Sequence, residues 1–545
     1  MSRRESLAFA VVVFVVALAV RAWAASLVPF PTPEDTAYYV SVARSVVERG
    51  LPDGLVSNAL WSYQTPPLSF PRPAFEVWLP LPSFVAAVPM LVLAPTFAAA
   101  QWAPVVIGAV VPVLAMRLAA DVALERGLAP GRARTLALGT GLTAAVYLPL
   151  VLHSALPDST MPFAALALAA CLLMPRIARD PRGTRPANPG LLTLGVLLGL
   201  AALTRNEAIW LALTWVIVAW RVAGVTRTER LILIGVPAVV ALLVFSPWAI
   251  RDWLVFGSPL PGQALTNALS VTGFDIFAWN DPPTLSRYLA VGGERLVEMR
   301  VEGLGHNLAN VLLLLGIPVA PIGLLALPWQ GRDRALRPVL IASLLTFLVT
   351  SLVFPVATTW GTFLHAAGPA HVLLVVSCLH ALDAGIARLG RWRGWTRPVA
   401  WLGPALGVFG SALFLVVFVP AYGLDARKTE TQFAAIERRM AAAGEPLDDG
   451  GPVITNFPIW MAEATGARTL ALPAEPPTDV LDLAAAFPGT RHLIVVGGDH
   501  DAWPDVLDGT DPGVECFHEL SIRPPAGDPD AEALSDVRAF VIDCP

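Results

Sequence analysis

Apolar residues form long runs over most of the chain, separated by short segments rich in Arg, Pro and Gly. A helix needs about 20 mostly apolar residues to cross the hydrocarbon core of a bilayer. The runs predict membrane-spanning helices near 7–28, 97–117, 134–152, 160–176, 191–204, 207–221, 231–250, 308–328, 338–354, 369–387 and 398–420. The pattern therefore predicts a polytopic all-α transmembrane bundle of about eleven spans.

One further apolar run, over 74–95, is not counted as a span. It contains Pro80, Pro82, Pro89 and Pro95, and each proline removes a backbone donor that a lipid-exposed helix needs. We interpret this run as an interfacial or re-entrant helix in a long outer loop. Before it, over 36–50, apolar residues recur at helical spacing and predict a helix that lies on the membrane surface.

Arginines collect in six clusters between the predicted spans. Cytoplasmic loops are enriched in Lys and Arg, so all six clusters are assigned to the cytoplasmic side, with an even number of spans between neighbours. The resulting topology is a multi-pass plasma-membrane protein with a cytoplasmic N-terminus and outer loops over 28–96 and 251–307. The clusters are Arg3 and Arg4; Arg117, Arg126, Arg132 and Arg134; Arg176, Arg179, Arg182 and Arg185; Arg221, Arg227 and Arg230; Arg332, Arg334 and Arg337; and Arg388, Arg391, Arg393 and Arg397.

The last part of the chain differs from the rest. Residues 421–545 carry 22 acidic and 8 basic side chains, a net charge of −14, whereas 1–420 carry a net charge of +9. Short apolar runs in this tail predict strands at 453–456, 469–472, 493–496 and 537–542, with helices over 431–443, 459–465 and 480–487. We therefore predict two domains, a transmembrane domain over 1–420 and a small extracytoplasmic α/β domain over 421–545.

Composition narrows the class of protein further. Hydrophobic residues make up 55% and charged residues 14% of the chain, which excludes a water-soluble globule and a disordered chain and makes the lipid bilayer a partner. The net charge of −5 and the absence of any basic cluster outside short loops argue against a nucleic-acid partner. Four cysteines are too few for a disulfide scaffold, although an oxidising exterior would allow Cys516 and Cys544 to pair.

Ionisable residues at the outer ends of the spans are the candidate chemistry. Glu34 and Asp35 follow the first span, Asp158 lies in the second outward break, and Arg205 with Glu207 interrupts a later pair of spans. Charges at such positions cost several kcal/mol unless they are paired or hydrated. A structural interpretation competes with a functional one: the acidic pair stabilises the dipole of a surface helix, and Arg205 pairs with Glu207 or Asp158.

These residues resemble a known superfamily. The pattern comprises Glu34-Asp35 followed by Ala37-Tyr38-Tyr39, a Pro-rich remainder of the first outer loop, Asp158 in the second loop, the segment Gly199 to Glu207, and Pro247-Trp248-Ala249-Ile250-Arg251-Asp252 with Gly257-Ser258-Pro259. In order and sidedness it is similar to the GT-C membrane glycosyltransferases, in particular to bacterial relatives of dolichyl-phosphate-mannose protein mannosyltransferases and of aminoarabinose transferases. The resemblance covers roughly residues 1–260.

The resemblance implies a function and a set of residues. It implies transfer of a sugar from a polyprenyl phosphate to a glycan, lipid or protein acceptor, with Asp35 as the catalytic base and Glu34 as a neighbour able to exchange roles with it. Asp158 matches the family's second acidic position. The longer acidic motif of oligosaccharyltransferases is absent, so the sequence assigns no ligands to a divalent metal and leaves a metal cofactor open.

Sugar transfer also needs cations. Negative charge collects on the departing phosphate while the anomeric carbon gains oxocarbenium character. The candidate phosphate-binding residues are Arg205, Arg251 and Arg72; Arg251 is alternatively an interfacial anchor beside Trp248. The candidate substrate-binding residues are Asp158, Tyr38, Glu207 and His365, and His365 is alternatively a hydrogen-bonded residue of an outward turn.

Two other regions admit two interpretations each. Asp499-His500-Asp501 resembles a trio of metal ligands but is more typical of a solvent-exposed turn. The loop over 251–307 is either a lid that orders over substrate or a fixed cover.

Two other classes of function compete with the enzyme. A transporter or flippase for lipid-linked sugars would carry charges along a path within the spans, whereas the polar residues gather in the outer loops. A noncatalytic cell-envelope assembly protein would keep the scaffold and lack activity. Replacement of Asp35 by Asn separates this last class from an enzyme.

Overall fold

The fold is a bundle of helices with a small sheet near the C-terminus. A computed structural model describes residues 3–179, 185–395, 399–447, 450–498, 500–525 and 527–544. Its helices are α1 (Arg3–Leu27), α2 (Glu34–Arg49), α3 (Leu81–Val92), α4 (Phe97–Ala100), α5 (Trp102–Glu125), α6 (Pro130–Ala145), α7 (Leu148–Leu152), α8 (Thr160–Arg179), α9 (Pro189–Ala202), α10 (Ala208–Trp220), α11 (Arg227–Phe256), α12 (Ala264–Leu269), α13 (Leu285–Ala290), α14 (Gly292–Gly305), α15 (Val319–Gln330), α16 (Arg337–Val353), α17 (Pro355–Thr359), α18 (Thr362–Ala366), α19 (Gly368–Trp392), α20 (Leu402–Ala442), α21 (Pro458–Thr465) and α22 (Pro477–Ala486).

Shorter elements complete the chain. Three 3₁₀ turns cover Gly273–Phe277, Asp505–Asp508 and Val514–Cys516, and a π-helical segment covers His306–Leu314. The strands are β1 (Val56–Ser57), β2 (Ala59–Leu60), β3 (Arg72–Pro73), β4 (Val453–Thr455), β5 (Thr469–Ala471), β6 (His492–Val496), β7 (Phe517–Leu520) and β8 (Val537–Ile542).

The helical bundle is that of a multi-pass membrane protein. Among the described residues, six helices are long and apolar enough to cross a membrane: α1, α4 with α5, α8, α11, α19 and α20. A seventh span results if Gly292–Leu314 and Val319–Gln330, which meet at 112°, are counted together. The predicted number of about eleven is not confirmed. The apolar helices α9, α10 and α16 have only 13 to 17 residues and are shorter than the roughly 30 Å of a hydrocarbon core.

The proline-rich run after the first outer loop forms α3, whose 12 residues are too few to cross a bilayer. Its buried face packs against α2. The predicted surface helix is α2, but its apolar positions do not face lipid: Ala37, Val40 and Ala43 are fully buried in the protein. The interpretation of α2 as a helix lying on the membrane is therefore wrong for this face, because α3 covers it.

Close helix packing fixes the break that carries Arg205. In α9, a Cβ at Gly195 or Gly199 would lie within 2.6 Å of side-chain carbon atoms of Val240 and Val244 in α11. Small residues four apart allow two helix backbones to approach closely. The end of α9 is thereby held against α11 just before the chain turns.

The tail sheet has six strands in the order β2-β5-β4-β6-β8-β7. Strands β2, β5, β4 and β6 are parallel, whereas β8 and β7 are antiparallel additions. The helices and strands predicted in the tail are all present within one to three residues, except that the helix over 431–443 is the end of the 41-residue α20. Because α20 begins in the apolar bundle, no loop separates the last span from the tail.

One strand of this sheet comes from the other end of the sequence. Strand β2 lies in the first outer loop and pairs with β5, with Ala59 opposite Thr469 and Leu60 opposite Leu470. The Tyr63 hydroxyl also donates a hydrogen bond to the Ala471 carbonyl, at 2.5 Å. Outer loop and tail thus share one hydrophobic core.

The cysteines divide as their positions suggest. Cys516 and Cys544 form a disulfide bond in the tail. Cys171 and Cys378 are buried free thiols in the bundle.

Candidate active site

Four separate segments meet at one end of the bundle. Asp35 lies in the first turn of α2, Asp158 precedes α8, Arg205 lies in the break between α9 and α10, and His365 lies in α18. His365 lies between Asp35 and Asp158, and Arg205 joins the group through Ser159 and the Thr362 carbonyl. These are four of the nine residues predicted from the sequence.

Asp35 is the most accessible carboxylate of the group. Its side chain is 30% exposed, and its Oδ2 lies 3.4 Å from His365 Nε2. Burial raises the pKa of Asp35, and the charges of His365 and Arg205 oppose this effect. Helix α2 starts here because Pro33 precedes two acidic residues in its first turn.

Asp158 has a structural and an electrostatic role at once. Its Oδ1 accepts a hydrogen bond of 2.7 Å from the backbone N–H of Thr160, two residues further on, which forms an Asx turn at the start of α8. Its Oδ2 lies 3.4 Å from Nδ1 of both His153 and His365. Burial opposes ionisation, but the hydrogen bonds and charges of the two histidines outweigh it and lower the pKa of Asp158 below its usual range.

His365 lies between two carboxylates. Its Nδ1 is 2.9 Å from the Thr160 hydroxyl and faces Asp158, and its Nε2 faces Asp35. Burial alone would lower the pKa of His365, yet the bond and charge of Asp158, together with the charge of Asp35, raise it. The backbone before α18 requires glycine, since Gly361 has φ 110° and a Cβ there would lie 3.3 Å from the imidazole.

Arg205 is held by a bidentate ion pair. Its Nε and Nη2 donate to Glu207 at 3.0 and 2.9 Å, its Nη1 donates to Ser159 Oγ at 2.7 Å, and Nη2 also donates to the Thr362 carbonyl. The ion pair with Glu207 expected from the sequence is present. The remaining contacts tie Arg205 to the starts of α8 and α18, beside Asp158 and His365.

Glu34 turns away from this group. Its Oε1 accepts hydrogen bonds from the backbone N–H of Ile459 at 3.0 Å and of Trp460 at 3.3 Å, at the start of α21 in the tail. Adjacent residues of a helix point about 100° apart. Asp35 therefore faces the candidate site while Glu34 contacts the tail.

Arg72 and Arg251 belong to a second cluster. Arg72 is buried and pairs with Glu76 at 2.6 Å, and Arg251 pairs with Asp252 at 2.9 Å. Both guanidinium groups approach the ring of Phe256, at 5.9 and 5.2 Å from its centroid. Arg251 also lies over Trp248 at 4.9 Å, the arrangement expected of an interfacial anchor.

Tyr38 connects the two clusters. It is buried, its hydroxyl accepts a hydrogen bond of 2.7 Å from the backbone N–H of Phe75, and its ring lies 4.3 Å from that of Trp78. Trp78 in turn interacts with the carboxylate of Asp35. Tyr38 thus supports the indole that contacts Asp35.

Several residues that adjoin the site were not predicted from the sequence. Tyr39 lies one turn after Asp35 and interacts with Ser159 and Arg205, and its i+4 spacing from Asp35 was the available signal. His153 and Thr160 flank Asp158 within seven residues. Trp78 gave no signal, because nothing in its neighbourhood indicates that the loop folds back onto α2.

His153, Asp158 and His365 are arranged as the ligands of a metal ion would be. One nitrogen each from His153 and His365 and one oxygen from Asp158 lie within 4.8 Å of one another. Two imidazoles and a carboxylate are the ligands of many catalytic zinc sites. The Asp35 carboxylate on the far nitrogen of His365 matches the partner that metal-bound histidines usually have.

The buried His500 of the tail contacts the loop over 251–307. His500 is buried, donates a 2.6 Å hydrogen bond to the Leu472 carbonyl, and lies 4.5 and 6.1 Å from the rings of Phe274 and Phe277. The interpretation as a solvent-exposed turn is therefore wrong for His500. Asp499, of the same trio, lies outside the described residues.

Known structures share this fold. ArnT from Cupriavidus metallidurans, an aminoarabinose transferase, aligns in its undecaprenyl phosphate complex over 97% of each chain with a TM-score of 0.60 and 14% identity, and in its apo state with a TM-score of 0.54. The Archaeoglobus fulgidus oligosaccharyltransferase in complex with Zn and sulfate aligns with a TM-score of 0.52 and 13% identity, over 89% of this chain and 68% of that one. No protein-family model and no curated protein sequence matches the chain. The chain has the GT-C fold that its sequence motifs predicted.

Proposed function

We propose that the protein is a membrane glycosyltransferase that moves a sugar from a polyprenyl phosphate to an acceptor at the outer face of the membrane. One observation carries the proposal: Asp35, Asp158, Arg205 and His365, which are distant in sequence, meet at one end of a bundle folded like ArnT. ArnT has been crystallised with undecaprenyl phosphate. The N-terminus is assigned to the cytoplasm and the tail to the exterior.

Asp35 is assigned as the general base. Its carboxylate takes the proton of the acceptor hydroxyl while the acceptor oxygen bonds to the anomeric carbon, and the bond from that carbon to the phosphate oxygen breaks. The phosphate leaves with the electron pair, and direct displacement inverts the sugar configuration. A raised pKa strengthens a carboxylate as a base, and burial acts on Asp35 in this direction.

His365 and Asp158 hold the base in position. His365 faces Asp35 through Nε2 and Asp158 through Nδ1. Asp158 is fixed by the start of α8, so it anchors the imidazole, which in turn orients Asp35. Tyr38 acts at one remove, by supporting Trp78.

Arg205 is assigned to the donor phosphate. Its contacts use four of the five guanidinium N–H donors, which leaves one on Nη1. Glu207 orients the guanidinium group. Arg72 and Arg251 are engaged by acidic and aromatic partners, so they are assigned a supporting role in the loop that faces the donor.

A zinc ion held by His153, Asp158 and His365 would polarise a phosphate oxygen as a Lewis acid. The protein residues then serve as its ligands, and Asp35 remains the group that accepts the proton.

The test is transfer by the purified protein in vesicles. Undecaprenyl phosphates carrying a panel of hexoses and pentoses are supplied together with glycan, lipid and protein acceptors, and acceptor-dependent release of undecaprenyl phosphate is measured. We expect Asp35→Asn to lower the rate at least 100-fold, because the amide cannot accept a proton. Asp53→Asn, at an exposed loop position, is the matched control and should keep the parent rate.

Two results would contradict the proposal. Full activity of Asp35→Asn would remove the assigned base. Movement of the lipid-linked sugar across the vesicle membrane without release of undecaprenyl phosphate would identify a flippase instead.

A further inference from the structure

A polar cavity lies at the end of the bundle opposite the candidate active site. It has a volume of about 440 Å³ and lies between α5, α8 and the turn that joins α15 to α16. Helix α8 begins beside Asp158 and ends at Arg179 after 20 residues, so its ends are about 30 Å apart. The cavity is thus separated from the candidate active site by more than half the length of α8.

Arginine dominates the walls of this cavity. Four arginines line it, Arg117, Arg176, Arg179 and Arg334, against two carboxylates, Asp121 and Glu125. The excess is two positive charges. Such a concentration at one end of a span is the feature that marks the cytoplasmic side.

The two carboxylates do not neutralise the guanidinium groups fully. Asp121 is shared between Arg117 at 3.0 Å and Arg176 at 3.4 Å. Glu125 accepts hydrogen bonds from the backbone N–H of Arg334 and Ala335 and lies 3.8 Å from Arg179. The cations remain accessible, since Arg117, Arg176 and Arg179 are 48%, 51% and 57% exposed.

Apolar residues form the rest of the lining. Leu172 and Pro175 of α8 and Leu124 of α5 border the cavity, and Leu124 is exposed on the outside of the bundle. Both helices are long and apolar enough to cross a membrane. A ligand in this cavity therefore meets cations on one side and a lipid-facing helix surface on the other.

We propose that this cavity binds the headgroup of a phospholipid that carries two phosphates, with its acyl chains along α5 and α8. Two phosphodiesters supply two negative charges, equal to the excess in the cavity. Arginine binds phosphate oxygens through its planar fork, and basic pockets between spans on the cytoplasmic side suit such headgroups. This inference does not depend on the proposed transfer reaction.

Lipid binding to the purified full-length protein in mild detergent tests the proposal. Diphosphatidylglycerol, phosphatidylglycerol, phosphatidylcholine and sodium phosphate are titrated separately, and binding is followed by thermal stability and by native mass spectrometry. We expect diphosphatidylglycerol to bind at least tenfold more tightly than phosphatidylglycerol. Phosphatidylcholine and sodium phosphate should give no shift at the same concentrations.

Charge variants locate the site. We expect Arg176→Gln combined with Arg179→Gln to raise the apparent Kd for diphosphatidylglycerol at least tenfold. Arg388→Gln combined with Arg391→Gln is the control. It removes the same charge from the same end of the bundle, at exposed positions of α19, and should change the apparent Kd less than twofold. Asp121→Asn keeps every arginine and should tighten binding, an effect in the opposite direction that does not require the double variant to fold.

Two outcomes would overturn the proposal. An equal loss of affinity for diphosphatidylglycerol in the two double variants would mean that the lipid binds to the general positive charge at this end of the bundle. A shift with sodium phosphate as large as that with diphosphatidylglycerol would mean that the cavity takes a free anion and not a lipid.

Discussion

At the scale of single residues, neighbours in the sequence have separate tasks. Glu34 and Asp35 were equivalent candidates from the sequence, since both are acidic and begin the same helix. In the fold, Glu34 contacts α21 while Asp35 contacts His365. The sequence could predict an acidic pair at the outer end of the first span, but the choice between the two depends on how α2 is rotated, which its tertiary contacts decide.

The three-residue group around Asp158 leads to a prediction about metal. We expect the purified protein to contain about one zinc ion per chain, measured by inductively coupled plasma mass spectrometry. The variant His153→Ala should lose this zinc, because one of the three protein ligands is removed. His518→Ala, at an exposed tail position, is the control. If the parent protein is metal-free after purification with added zinc, the site is a hydrogen-bonded histidine pair only.

A second prediction concerns the shape of Arg205. Arg205→Lys keeps the charge but loses the planar fork that binds Glu207 and phosphate. We expect the KM for the lipid-linked donor to rise about tenfold or more, with a smaller change in kcat. Arg287→Lys in the outer loop, whose partner is Asp275, should leave both constants unchanged, and an unaltered KM in Arg205→Lys would argue against phosphate binding.

At the scale of elements, α2 joins the parts of the outer face. Its Asp35 face meets the bundle, its apolar face meets α3, and its outer side meets α21. The sequence predicted the existence and limits of this helix because apolar spacing is a local property. It did not predict what covers the helix, because α21 lies more than 400 residues further along the chain.

The contact between α2 and α21 can be tested by one substitution. Arg44 forms a bidentate pair with Glu463 at 2.6 and 3.0 Å, and Glu463 is only 4% exposed. Arg44→Ala leaves a buried carboxylate unpaired, at a cost of about 3 kcal/mol. We expect faster cleavage of the tail in limited proteolysis, while Arg49→Ala, at the exposed end of α2, should match the parent protein.

At the scale of the whole molecule, the outer loops and the tail form one assembly. Phe274 and Phe277 of the loop over 251–307 enclose His500 of the tail. This packing favours a fixed cover over a mobile lid in this part of the loop. The sequence did not distinguish a lid from a fixed cover, because the partner of these aromatic residues is a histidine more than 200 positions away.

The stability of the packing between His500 and this loop should depend on pH. Burial lowers the pKa of His500 from 6.5 to about 4, so the folded state holds the neutral ring. The contribution of neutral His500 to the free energy of unfolding is fully present above pH 6.5. It is lost as the pH falls towards 4, because His500 of the unfolded chain binds a proton at a higher pH than His500 of the folded chain. We expect a loss of up to about 3 kcal/mol between pH 7 and 4, and a thermal melting series in which His500→Gln reduces this pH dependence would support it.

Strand β2 has a consequence for any attempt to separate the two ends of the chain. It covers the outer edge of β5. It lies in the first outer loop, which follows α1 and precedes the other candidate spans. A truncated polypeptide starting at residue 421 would leave that edge bare, and unpaired backbone donors and acceptors on a sheet edge promote self-association. The tail is therefore not an exchangeable module: grafting it onto another bundle requires transplanting the first outer loop as well.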